Sequence, residues 1–79
     1  MNETPDTPQR IDARGLACPH PVLLARAALK ALPAGARVEL IATDPMASVD
    51  VAAFCLRAGH RLVTETTADG EWRFVIERA

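Results

Sequence analysis

The chain has no tyrosine, two phenylalanines, one tryptophan, two cysteines and four glycines among its 79 residues. With so few rings, a base-stacking surface of the usual kind is disfavoured, and the core must be aliphatic and rich in alanine. Two cysteines are fewer than a small secreted domain held by disulfides normally carries, so Cys18 and Cys55 read as reduced thiols. Nine basic residues against ten acidic leave a formal charge of −1, so no global field steers the chain onto nucleic acid or anionic lipid. No direct, stable nucleic-acid binding is expected. No apolar run reaches the roughly 20 residues of a membrane span, and residues 1–9 lack the basic-then-apolar layout of a signal peptide. A cytoplasmic location without membrane partners is the expectation. Glycine-rich phosphate loops, dinucleotide fingerprints and paired carboxylates at a cleft are also missing.

Residues 1–9 hold two prolines and no hydrophobic period, and read as a disordered lead to a single domain over residues 10–79. A short strand is expected over Arg10–Ala13. Val22–Leu32 is almost entirely Leu, Val and Ala with Arg26 and Lys30 on one face, which predicts a helix whose Leu24, Ala28, Ala31 and Leu32 pack on a sheet. Pro33 ends it and Ala34-Gly35 turns the chain. Arg37–Thr43 alternates as a strand does, with Val38, Leu40 and Ala42 on one side. Asp44-Pro45 supplies an N-cap acceptor and a proline for a second helix over Met46–Ala58, stopped by Gly59. On that helix Asp50 and Arg57 mark the solvent side, with Ser48, Val51, Ala52 and Cys55 inward. Arg61–Thr67 and Glu71–Glu77 flank Asp69-Gly70, a strong hairpin signal. The order βαβαββ implies an α/β (α+β) two-layer sandwich, a four-stranded mixed sheet with two helices on one face.

The chemistry concentrates at Cys18-Pro19-His20-Pro21, where an extended segment gives way to the first helix. Either Pro19 opens the helix and Cys18 caps it, or Pro21 opens it and His20 is the cap. In both versions the sulfur is exposed, near unpaired N–H groups and the positive end of the helix dipole, which favour thiolate over thiol. The remaining donors would be the N–H groups of His20 and Val22. A rigid, protruding thiol suits transfer between proteins better than hydrolysis, which needs a paired base, an oxyanion site and a cleft. Cys55 reads as a packed core thiol. A zinc site from Cys18, His20, Cys55 and His60 has the right residue types but fits no paired-ligand spacing, and Cys55 faces the core, so no metal is expected.

The stretch Asp12-Ala13-Arg14-Gly15-Leu16-Ala17-Cys18-Pro19-His20-Pro21, with Ala42-Thr43-Asp44-Pro45 leading into Phe54-Cys55, resembles the TusA family of small sulfur-carrier proteins, which includes SirA-like and YedF-like branches. The likeness runs from Ile11 to Arg78. It implies that Cys18, in a Cys-Pro-x-Pro motif with Pro19 and Pro21, receives sulfane sulfur as a persulfide and passes it to an acceptor protein. Implied donors are cysteine desulfurases or rhodaneses. Implied destinations are tRNA thiolation, molybdenum-cofactor assembly or sulfur oxidation. The resemblance implies no metal and no organic cofactor. His20 stands at the motif's variable position, and Cys55 at one expected to be structural. Arg14, Leu23, Arg26 and Lys30 are the candidate docking residues. A SirA-like regulatory or protein-interaction module, without obligatory sulfur transfer, is the alternative.

Overall fold

The computed structural model describes residues 8–79; most of the expected lead, residues 1–7, lies outside the described residues. The elements are β1 (Gln9–Ala13), α1 (His20–Lys30), β2 (Arg37–Ala42), α2 (Ala47–Ala58), β3 (Arg61–Ala68) and β4 (Glu71–Glu77). They form a four-stranded sheet in the order β1-β2-β4-β3. β1 and β2 run parallel, while β4 is antiparallel to both of its neighbours. The chain is thus one βαβ unit followed by a split one, with β4 returning between β2 and β3. α1 packs on β1 and β2, and α2 on β3 and β4.

Strand alternation places Val38, Leu40, Ala42, Phe74 and Ile76 on the helix side, all fully buried. The register aligns them in rows: Leu62 with Ile76 and Val38, Phe74 with Leu40 and Ile11, and Trp72 with Ala42 and Ala13. Ala25 and Leu29 of α1 and Ala47, Val51 and Cys55 of α2 complete this core. Each large side chain buried there contributes about 1.5–3 kcal/mol. At the end of the sheet that carries the loops after β1 and β2, the core consists of Ala13, Ala42 and Ala47 with Trp72 packed against it. The opposite sheet face carries charges in sequence, Arg10 to Glu39 (3.1 Å), Glu39 to Arg73 (3.7 Å) and Arg73 to Glu71 (3.7 Å).

The expected packing face of α1 shifts around its axis. Pro21, Ala25 and Leu29 are buried, whereas Leu24 is 40% exposed and Ala31 is exposed. Ala28 and Leu32 pack partly buried against the core as expected, but Arg26 and Lys30 sit at one border of a wide exposed arc rather than at its centre, so Leu24 and Ala31 fall outside the packing face. On α2 the buried line is Ala47, Val51 and Cys55, and Ala52, expected inside, is exposed. Asp50 is half-buried instead of marking the solvent side. Gly59 does end α2, in the left-handed conformation at φ 78°, where its N–H meets the Cys55 carbonyl.

Candidate functional site

The parallel pairing of β1 with β2, with Ala13 opposite Ala42, makes the loops that follow both strands leave the sheet side by side. Two hydrogen bonds tie them. Gly15 N–H donates to Thr43 Oγ1 at 2.9 Å, and Cys18 N–H donates to Asp44 Oδ2 at 3.2 Å. Asp44 is therefore not the side-chain cap that its place before Pro45 suggests. Its carboxylate turns to the cysteine loop, and α2 starts one residue later than expected, with Met46 at the cap position and no side-chain cap bond.

The start of α1 matches neither expected version. Pro19 occupies the cap position, His20 opens the helix, and Cys18 stands one residue before the cap, joined to Pro19 by a cis peptide bond. His20 N–H donates to the Ala17 carbonyl at 2.9 Å, and His20 Nδ1 is 3.2 Å from the same oxygen. That N–H is consequently unavailable to the Cys18 sulfur, and the imidazole is turned to backbone. Pro21 is buried and anchors the first turn.

The Cys18 thiol is exposed and Cys55 is buried. Cys18 Sγ, a carboxylate oxygen of Asp44 and one of Asp50 lie within 4.8 Å of one another. These carboxylates reverse the expected electrostatics. A hydrogen bond to Asp50, then desolvation, then the negative charges of Asp50 and Asp44 push the Cys18 thiol up from its ordinary value. Against the expected dipole effect, about half a charge at a helix end, stand two carboxylates within 4.8 Å of the sulfur. Burial pushes Cys55 up as well.

Beside Cys18 a groove of about 430 Å³ runs between α1 and α2. Pro19, Val22, Leu23, Ala53, Phe54 and Ala58 line it, together with Arg26, Arg57 and Asp50. Of the expected docking residues, Leu23 and Arg26 thus meet at the thiol. Arg14 and Lys30 are not among the groove's lining residues. The Arg14 guanidinium is held by Asp12 at 2.9 Å and Glu71 at 3.4 Å, while Lys30 lies in the last turn of α1. The zinc set considered from residue types is not gathered, because Cys55 is in the core and His60 Nδ1 accepts the Ala79 N–H at 3.0 Å. Sequence reasoning missed Asp44, Asp50, Phe54 and Arg57 as groove or thiol neighbours. The signal available for Asp44 was the parallel βαβ crossover, which obliges the two loops to be adjacent.

Residues 9–78 match the family model described as sulfurtransferase TusA. The chain belongs to the TusA family. A TusA-family relative, the sulfur carrier protein TusA of Pseudomonas syringae pv. syringae (strain B728a), is 40% identical over 68 residues, covering 86% of this chain and 81% of the relative. Another, the sulfur carrier protein TusA of Allochromatium vinosum, is 36% identical over 74 residues, covering 94% of this chain and 97% of its own. The TusA match spans all six secondary-structure elements and both carboxylates that face Cys18.

Proposed function

We propose that the protein is a sulfur carrier that accepts sulfane sulfur on Cys18 as a persulfide and delivers it to an acceptor protein. The observation that carries this reading is the placement of an exposed thiol at the mouth of a groove with apolar walls and two arginines, while the second thiol is buried. The names of the relatives support a carrier role. In the loading step, Cys18 Sγ as thiolate attacks the outer sulfur of a donor persulfide. A new S–S bond forms, the donor S–S bond breaks, and the donor sulfur leaves as a thiolate that takes up the proton Cys18 gave up. Unloading repeats the exchange with an acceptor thiolate attacking the outer sulfur, and Cys18 leaves. No net oxidation occurs in either step.

The donor fitting this chemistry is a protein persulfide of the kind formed by cysteine desulfurases or rhodaneses, and the acceptor is a second protein thiol. tRNA thiolation, molybdenum-cofactor assembly and sulfur oxidation are the pathways this reading admits. Leu23 and Arg26 present the part of the docking surface nearest the sulfur, and Pro19 and Pro21 hold the segment that displays it. Among the described residues no helix is long and apolar enough to cross a membrane. A cytoplasmic site of action belongs to the same proposal.

Incubation with a persulfide donor followed by intact-mass measurement tests the reading. The expected result is a gain of one sulfur that is reversed by a thiol and absent in Cys18→Ser. A gain that persists in Cys18→Ser, or no gain in the native chain, would refute it. A Cys18→Ala variant that retains full cellular function would favour the regulatory interaction module instead.

A further inference from the structure

A helix start next to a cysteine ordinarily favours negative charge on sulfur, yet this chain sets two carboxylates against it. Asp50 comes from the first turn of α2 and Asp44 from the loop after β2, so two separate segments converge on Sγ. Asp44 is held in place by the Cys18 N–H. The other charged or titratable groups around the thiol are Arg26 of α1 and Arg57 of α2, which line the groove, and His20, turned to the Ala17 carbonyl. The nearest anionic pair prevails, since the thiol is pushed up rather than down.

This matters because the two states of a sulfur carrier differ in charge. A persulfide ionises more readily than a thiol, so near neutral pH the loaded form carries a negative charge on its outer sulfur, whereas the empty form is a neutral thiol. A negative field at Sγ therefore disfavours the loaded state relative to the empty one, and by linkage favours release.

We propose that Asp50, with Asp44 beside it, destabilises negative charge on the Cys18 sulfurs and so biases sulfur flow off this chain toward its acceptor. The inference rests on the reading of Cys18 as the carrier residue. Asp50 leaves the bonds that form and break untouched: the incoming sulfur atom, the leaving donor thiolate and its proton balance as they do without it. It shifts only the equilibrium between donor-loaded and carrier-loaded sulfur.

Two measurements on the full chain test this. The first is the pH profile of Cys18 alkylation by iodoacetamide in the native chain, Asp50→Asn, Asp50→Glu and Asp44→Asn. The midpoint should fall by about one pH unit in Asp50→Asn, about tenfold more thiolate below it, while Asp50→Glu keeps the native profile. A midpoint in Asp50→Asn that is unchanged or higher overturns the proposal. The second is the equilibrium extent of loading from cysteine persulfide at pH 7.5, read by intact mass. Loading should shift about tenfold toward the carrier in Asp50→Asn and in the same direction in Asp44→Asn, which keeps an acceptor oxygen for the Cys18 N–H and removes only the charge. Equal loading of native and Asp50→Asn chains ends this inference alone. No loading of either ends the carrier reading and the inference with it. Should Asp50→Asn fail to fold, Asp44→Asn decides both measurements.

Discussion

Cys18 N–H and Asp44 Oδ2, 3.2 Å apart, join the loop that follows β1 to the loop that follows β2. The bond fixes the backbone of the reactive segment from outside its own helix. Cys18 therefore owes its placement to residues remote in sequence as much as to the prolines beside it.

Replacing Asp44 by Ala removes that acceptor and should cost about 1.5–3 kcal/mol of stability, the range for a hydrogen bond to a charged group. Urea unfolding measures the loss. Asp44→Asn should recover most of it, and equal losses in both variants would show that the hydrogen bond is not the stabilising feature.

Asp12 predicts a pH dependence with a definite sign. Hydrogen bonds from the Arg14 side chain and backbone, with a smaller Coulomb attraction, hold its carboxyl at about 2 instead of the ordinary 3.8. A depressed carboxylate contributes stability that is present above the unfolded value and disappears as pH falls through the folded one. The Asp12 carboxyl carbon shift in an NMR titration should therefore move at about 2, and in Arg14→Gln at a higher pH but still below 3.8, because the residue-14 N–H goes on donating. A native midpoint near 3.8 would contradict the contact.

Cys55 is 4% exposed among Val51, Phe74 and the rest of the core. Cys55→Ser places a hydroxyl there and should destabilise by about 1–3 kcal/mol, more than Cys55→Ala. Thermal unfolding ranks the two. The native fold should protect this thiol from alkylation under conditions that label Cys18, and equal labelling of both thiols would place Cys55 nearer the surface.

Leu23 is 48% exposed and lines the groove at the thiol. Leu23→Asp should slow sulfur uptake from a protein donor about tenfold more than uptake from a small persulfide, because only the protein uses the surrounding surface. Stopped reactions read by intact mass give both rates. Equal slowing would remove Leu23 from the docking surface.

Much of this architecture was legible because local signals and tertiary demands agree. Asp69-Gly70 takes positive φ at both residues, 54° and 79°, as a tight hairpin between twisted strands requires. The alternation at Val38, Leu40 and Ala42 could face a core in only one way. Cys18 stood out for the same reason, since a thiol between alanine and a proline-bearing helix start has no obvious packing duty. The surroundings of that thiol were not legible. Asp44-Pro45 has the local form of a cap, and only the parallel neighbour strand gives its carboxylate a stronger competitor, the Cys18 N–H. Asp50 looks like a solvent marker on a helical wheel until α1 arrives beside α2. Leu24 was misplaced because charges at the border of an exposed arc do not locate its centre.

β1 lies at an edge of the sheet and pairs with β2 alone. Arg10 of β1 pairs with Glu39, 29 residues on, whereas β3 and β4 meet across a tight turn. β2 and β4 are each paired on both sides, so β1, held by one neighbour, is expected to open before them. Amide hydrogen exchange should then be faster in β1 than in β2 or β4, and equal protection would rule this order out. Cysteine presentation then rests on a strand that lets go more readily than β2 or β4, so a chain opened at its N-terminal edge lacks the geometry to take custody of a sulfur atom.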